Sequence, residues 1–540
     1  MGRASEHWGT RLGVILAVAG SAVGIGNFLR FPGQAAGNGG GLFMIPYFCA
    51  LLLLGIPLCW AEWTMGKIGS RRGVHSCPAI LGQVGGHRLW RYVGALGLLM
   101  PTVVYMYYVV VESWCLAYAW SYLTGALDLG ADPTRYAEQA GAFFTGVSGA
   151  GADGLMFEGR IHGSVYFWLI TVAANFALIY RGVSRGIERF CNIAMPIMLL
   201  CALVVLVRVL TLPAQTDAAG TRGVLDGLGF MWNPKPLHAG ESALAALADP
   251  KVWLAAAGQI FFTLSVGFGV IMNYASYLKP ERDVILAGTT ASATNEFFEV
   301  CLGGLITIPA AFLFLGVAGA MAGTFGLGFK TLPIVFEYMP AGRLFGFLWF
   351  FMLFLAAITS SLSLLQPVVA FLEEALGFGR RAAVAVLAVM TLLGNLFVIY
   401  FSRDLAALDN LDFWMAQVGI LVFGALEVLL LAWVFGARRG HALALEGAEL
   451  RPPRWVYTML MRFVTPTVLL VVLGAWCYFN VGDYAKALAE GGVPRYAMAL
   501  IVAVLAFYLV LVRVGDRRWG PVRAVPPTDR PPRAAREANP

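Results

Sequence analysis

Gly20-Ser-Ala-Val-Gly-Ile-Gly-Asn-Phe-Leu-Arg-Phe-Pro32 interrupts an apolar run with residues that lipid does not tolerate. Three glycines (Gly20, Gly24, Gly26), then Asn27, Arg30 and Pro32, lie within a stretch, 11–37, long enough to cross a bilayer. Backbone N–H and C=O groups released from helical pairing cost several kcal/mol each in hydrocarbon unless protein, water or an ion completes them. A broken membrane helix therefore predicts something polar held at its break.

The rest of the chain fits that reading. Its 540 residues are 59% hydrophobic and 13% charged, with a mean hydropathy of +0.73. These values describe a polytopic all-α membrane protein rather than a soluble domain with an anchor. Apolar runs predict about twelve spans, near 11–37, 41–66, 90–124, 164–183, 190–213, 243–278, 284–318, 341–376, 380–400, 407–436, 455–477 and 494–514. Short helices are expected in the connections 125–163 and 319–340. The Pro/Arg-rich tail, 515–540, is expected to be disordered.

Charge sets the topology. The net charge is +7. Lys67, Arg71, Arg72, Arg88 and Arg91 crowd one connection; Arg181, Arg185 and Arg189 crowd another, as do Arg380 with Arg381 and Arg438 with Arg439. The alternating connections are poorer in cations and carry Asp128, Asp132, Glu138, Asp153, Glu158, Asp217 and Asp226. This positive-inside pattern places both termini in the cytoplasm, and the start of the chain lacks a signal-peptide layout. The cations form no single face interleaved with aromatics, which argues against nucleic acid. Seven of eight cysteines lie in apolar segments and Cys77 in a basic connection, so neither a disulfide framework nor a zinc site is indicated.

A second interrupted span carries Gln259-Ile-Phe-Phe-Thr-Leu-Ser-Val-Gly-Phe-Gly269, placing Thr263, Ser265, Gly267 and Gly269 at mid-membrane. Breaks in first and sixth position predict two five-helix halves, 11–213 and 243–436, as an inverted repeat with the breaks facing each other, followed by two further helices in 455–514. A cytoplasmic segment, 1–10, precedes them. At the first break Asn27 and unwound carbonyls near Gly20, Ala22 and Val23 offer neutral oxygens to a hard cation. The freed amides of Ile25 and Gly26 suit a carboxylate. Thr359 and Ser360 put adjacent hydroxyls in the eighth span; alone they read as back-bonding to the preceding turn, and beside the break they read as a second cation site. Asn295 and Glu299 share a face of the seventh span. Glu296, Glu62 and Glu112 are further acidic residues at membrane depth, where such groups mark ion pathways or tie helices together. Arg30 and Asp412 are opposite charges that can meet across a vestibule.

Glu6-His-Trp8, Gly24-Ile-Gly-Asn-Phe-Leu-Arg-Phe-Pro32, Asn38-Gly-Gly-Gly41, Tyr107-Tyr108, Glu112-Ser-Trp114, Gly186-Ile-Glu-Arg-Phe190, Gln259-Ile-Phe-Phe-Thr263, Thr359-Ser-Ser361, Gln366-Pro367 and Asp412-Phe-Trp414 occur in order along the chain. With them, from Glu6 to Arg513, the sequence resembles the neurotransmitter:sodium symporter family in its bacterial branch. The resemblance implies a first sodium ion held by Ala22, Asn27, Thr263, Asn295 and the substrate carboxylate. It implies a second held by Gly20, Val23, Ala356, Thr359 and Ser360. It implies an amino-acid site formed by Ala22, Ile25, Gly26, Val104, Tyr108, Phe262, Thr263, Ser265, Phe268, Ser360 and Leu364, with Tyr108 donating to the carboxylate and Phe262 closing above it. Arg30 and Asp412 become an outer gate; Trp8 and Glu374 belong to an inner one. There the family's arginine is replaced by Ser5, with Arg3 nearby. Monoamine carriers have aspartate at the position of Gly24, so a substrate carboxylate is expected in that space. Animal relatives bind chloride near the counterparts of Tyr47, Gln259 and Thr263, with serine at the position of Glu299. The carboxylate here is expected to substitute for the anion.

The expected function is sodium-coupled uptake of neutral, hydrophobic or aliphatic L-amino acids by alternating access, independent of chloride, in a bacterial inner membrane. The resemblance leaves open which amino acid is carried, the ion stoichiometry, and whether the protein is a monomer or a homodimer. A non-transporting amino-acid sensor on the same scaffold is the rival reading. No span carries a nucleophile–base or metal motif of an enzyme.

Overall fold

The computed structural model describes residues 8, 11–158, 164–217, 220–236 and 242–522. Among the described residues, nine helices are long and apolar enough to span a membrane. They are α2 (Gly40–Arg72), α3 (Leu89–Thr124), α5 (Val183–Leu210), α7 (Val284–Ala320), α8 (Gly342–Leu376), α9 (Arg380–Tyr400), α10 (Arg403–Ala444), α11 (Arg454–Glu490) and α12 (Val493–Trp519). Three further segments complete the expected order. α1 is a bent pair, Arg11–Ala22 and Gly26–Gly37, with a 45° angle at its break. α4 is the shorter Ser164–Tyr180. α6 is split into Pro250–Thr263 and Val270–Ser276.

The breaks in α1 and α6 fall where the sequence places them, for different local reasons. In α1 the helix stops at Ala22 and resumes at Gly26, around the unsubstituted Gly24. In α6 three residues adopt left-handed backbone: Ser265 (φ 54°), Gly267 (φ 75°) and Gly269 (φ 72°). Serine in that region costs about 1–2 kcal/mol. The Ser265 hydroxyl offsets part of this by donating to the Ser21 carbonyl at 3.1 Å. One break thus satisfies an orphan carbonyl of the other.

Around them the packing depends on small residues. A Cβ on Gly303 of α7 would lie 2.0 Å from the Asn27 carbonyl oxygen, so only glycine lets α7 meet α1 there. On the other side, buried Glu112 of α3 accepts hydrogen bonds from Asn175 of α4 at 2.8 Å and from the Ser361 hydroxyl of α8. It is a tie between helices. Large apolar side chains such as Leu200, Val207, Leu393, Val471 and Val510 point outward, as a lipid-facing surface requires.

The connections bring corrections. The 214–242 connection contains a small antiparallel hairpin, β1 (Gln215–Asp217) with β2 (Gly220–Arg222), and a helix at Val224–Trp232, neither anticipated. Short helices do occupy the other two connections, including Tyr136–Ser148 and Leu332–Glu337. α11 runs on to Glu490, and α12 continues through Gly515 to Trp519 instead of giving way to disorder at 515. That last turn is held because Asp516 pairs with buried Arg91, whose guanidinium also lies over the Trp519 ring at 5.4 Å. The remainder of the expected tail, from residue 523, and the start of the chain (residue 8 aside) lie outside the described residues. Cys77, in the basic connection between α2 and α3, opens a short buried helix there, Cys77–Gly85.

Gly303→Ala is expected to push α7 off Asn27 and to lower the thermal midpoint of the detergent-purified protein. The cost should be about 1–3 kcal/mol, the usual size of an overpacking defect. An unchanged midpoint would mean that the α1–α7 approach does not depend on the missing methyl.

Candidate functional site

The two breaks meet at Asn27. Its side-chain oxygen accepts the Gly24 N–H at 2.8 Å, which holds the unwound turn in shape. Its amide nitrogen reaches Asn295 Oδ1 at 2.8 Å, Glu299 Oε2 at 3.2 Å and Thr263 Oγ1 at 3.3 Å. Asn295 Nδ2 donates to Thr263 Oγ1 at 3.0 Å and to Glu299 Oε2 at 3.3 Å. The Thr263 hydroxyl also donates to Glu299, and Gln259 Nε2 donates to Glu299 Oε1 at 2.7 Å. Three helices therefore converge their amide and hydroxyl groups on one fully buried carboxylate. Asn295 and Glu299 share a face as their spacing requires. Tyr47, expected near Gln259 and Thr263, donates its hydroxyl to Glu296 at 2.7 Å and lies beside Glu299, which Gln259 and Thr263 both bond.

Above this cluster is a cavity of about 30 Å³. That is room for one or two waters, not for an amino acid. Every residue expected in the amino-acid site lines it except Ile25, which faces the neighbouring vestibule. Asn27 and Gly24, the latter expected to leave room for a substrate carboxylate, line it too, as do Ser21, Val270 and Ser363, which the sequence did not single out for this site. Ser363 was findable, since it stands one turn beyond Ser360; the part played by Ser21 is its carbonyl, which leaves no trace in residue type. The Tyr108 hydroxyl accepts the Ile25 N–H at 3.3 Å, so it already sits at the freed amides. A Cβ on Gly24 would be 2.8 Å from that hydroxyl and 2.7 Å from Ser360 Oγ.

Phe262 closes the cavity. A vestibule of about 250 Å³ lies on its far side, lined among others by Arg30, Tyr107, Phe325 and Asp412. Arg30 sits over the Phe262 ring at 4.3 Å and pairs with Asp412 at 3.6 Å. Asp412 is held from behind by the Tyr107 hydroxyl at 2.7 Å and Gln417 at 3.3 Å. At the opposite end Trp8 donates to the Tyr274 carbonyl at 3.1 Å and packs edge-on against its ring. Glu374 accepts the backbone N–H groups of His75 and Ser76 at 3.1 and 2.8 Å. Arg3 and Ser5, expected to bear on this end, lie outside the described residues.

The second cation set is assembled in part. Ser360 Oγ reaches the Ser21 and Gly20 carbonyls at 3.3 and 3.5 Å, and a Cβ on Gly20 would touch Thr359 at 3.3 Å. Thr359 Oγ1 donates to the Ala356 carbonyl at 2.9 Å, the back-bonding arrangement of a membrane helix. Val23 lies buried at the break, its own N–H bonded to Ala19 O at 2.6 Å.

The model of the sodium:neurotransmitter symporter family matches residues 5–207 and 132–515. The chain belongs to this family. Relatives include uncharacterised sodium-dependent transporters of Methanocaldococcus jannaschii (29% identical, 87% of this chain and 89% of the relative) and Haemophilus influenzae (30%, 72% and 79%). The rat sodium- and chloride-dependent taurine transporter is 25% identical over 84% of this chain and 75% of its own length. Among solved structures, MhsT in complex with L-phenylalanine superposes with a TM-score of 0.73 at 28% identity, covering 87% of this chain and 99% of its own. As a family member, this chain is a multi-pass, sodium-dependent membrane transporter.

In this symporter a methyl at Gly24 fills the space between Tyr108 and Ser360. Gly24→Ala is expected to leave the fold intact and weaken amino-acid binding at least tenfold, about 1.4 kcal/mol, measured by scintillation proximity on purified protein. Undiminished binding would place the ligand elsewhere.

Proposed function

We propose that this symporter couples sodium to uptake of neutral, hydrophobic L-amino acids through the cavity at the facing breaks, without needing chloride. The observation that carries the reading is the junction of Asn27, Thr263 and Asn295 directly beneath a cavity that the freed α1 amides and Tyr108 overlook. The oxygens of Ala22, Asn27, Thr263 and Asn295 are neutral and suit a monovalent cation, with the substrate carboxylate completing the set. A second ion would sit among Gly20, Val23, Ala356, Thr359 and Ser360, where the Thr359 hydroxyl turns from its helix carbonyl toward α1.

The side-chain half of the cavity is apolar: Val104, Phe268 and Leu364 face Phe262 across it. Such a lining favours an uncharged aliphatic or aromatic side chain, and the L-phenylalanine in the MhsT crystal structure is in keeping with that. At about 30 Å³ the cavity admits an amino acid only when the Phe262 ring moves, so loading and lid movement are one event. Glu299 supplies, from within the protein, a negative charge beside the first ion. Replacing chloride with gluconate should therefore leave uptake unchanged; a strong chloride requirement would contradict this role.

Coupling follows from contact. An ion that touches the substrate carboxylate raises the affinity for substrate by the same factor that substrate raises the affinity for the ion, typically about 1–3 kcal/mol. In proteoliposomes, an inward sodium gradient should drive accumulation of labelled leucine or phenylalanine, and collapsing the gradient should abolish it. Asn27→Ala and Thr263→Ala should weaken sodium and amino-acid binding together. A variant that loses only one of the two would contradict direct contact.

A further inference from the structure

One turn of α8 touches both interrupted helices. Ser360 and Ser363 stand three residues apart and so share a face. Ser360 Oγ turns to the Ser21 and Gly20 carbonyls of α1. Ser363 Oγ turns to the second half of α6, where it accepts the Tyr274 hydroxyl at 2.9 Å. Its own proton goes to the Thr359 carbonyl at 3.0 Å. A serine hydroxyl has one proton to give, so Ser363 meets Tyr274 as an acceptor and the direction of the chain is fixed. Tyr274, Ser363 and Thr359 are all buried. Ser363 is at the same time part of the cavity wall.

Tyr274 is also the residue on which the far closure rests. Trp8 donates to its carbonyl and packs edge-on against its ring. Trp8 leads into the first half of α1, and that half covers a thiol of α5. A Cβ on Gly20 would lie 3.4 Å from the Sγ of Cys191, which is fully buried. One turn further along α8, Gln366 donates to the Tyr277 hydroxyl at 3.1 Å. Of these two ties between α8 and the end of α6, Ser363 is the one set in the cavity wall. A buried hydroxyl pulled from its acceptor has no replacement until water enters, so the tie resists opening from within.

We propose that Ser363 is a positioning residue for the closure at the Trp8 end: its hydroxyl pins Tyr274, and through it Trp8 and the first half of α1, to the wall of the cavity. The proposal rests on the reading that this cavity opens alternately to the two sides of the membrane. Ser363→Ala leaves the Tyr274 hydroxyl buried without that acceptor. Tyr274→Phe removes the same bond from the other side and keeps the ring against Trp8.

Alkylation of Cys191 reads the closure without using substrate. Purified wild type, Ser363→Ala, Tyr274→Phe and the double variant are treated with N-ethylmaleimide in sodium-free buffer, and each cysteine is followed by mass spectrometry. Cys191 should label about fivefold faster in each single variant, the usual worth of one net hydrogen bond. The double variant should be no faster than the quicker single one, because both substitutions remove one interaction. Cys115, buried in α3, should stay protected throughout, which separates a loosened closure from general unfolding. A wild-type Cys191 rate in either single variant, increases that multiply in the double, or Cys115 labelling in step with Cys191 overturns the proposal. Should Ser363→Ala fail to fold, the Cys191 rate in Tyr274→Phe decides alone, in the same two directions. A wild type that labels as expected and transports no phenylalanine would count against the substrate reading and leave the tie standing.

Discussion

Main chain that leaves a helix in the hydrocarbon must find partners, and the architecture is organised around that requirement. The α1 and α6 breaks answer part of it for each other: Ser265 donates to the Ser21 carbonyl, and Asn27 accepts the Gly24 amide. α7 and α8 supply more, through Asn295, Glu299 and Ser360. These partners are side chains with their own freedom to reorient, which is what the proposed binding of a cation and a carboxylate in their place requires. A break satisfied entirely by rigid backbone would be stable and inert.

The contacts at the two ends of the cavity are modest in strength, as the proposed alternating access requires. Arg30 and Asp412 are 13% and 21% exposed at 3.6 Å, a pair worth about 1 kcal/mol or less. The Arg30–Phe262 contact adds about 0.5–2 kcal/mol. At the other end one indole hydrogen bond and one ring contact join Trp8 to Tyr274.

The breaks, the span order and the shared face of Asn295 and Glu299 were legible because glycine, amide and carboxylate residues in an apolar run have few other physical uses; that Asn27, Thr263 and Asn295 meet was implied only by the family resemblance. Ser21 was not legible, since what it contributes is a carbonyl that any residue has. The continuation of α12 to Trp519 was masked by arginines and a glycine that read as tail, until the buried Arg91–Asp516 pair supplied a partner. That Tyr47 donates to Glu296 was not legible either, because Glu296 and Glu299 lie one turn apart on α7 and residue type does not say which one receives the hydroxyl.

The central claim is that ion and amino acid complete one shared set of polar contacts. Equilibrium binding measured both ways tests it most directly: phenylalanine affinity with sodium against choline, and sodium affinity with and without phenylalanine. The account predicts equal factors in the two directions. Phenylalanine binding that is indifferent to sodium would contradict it.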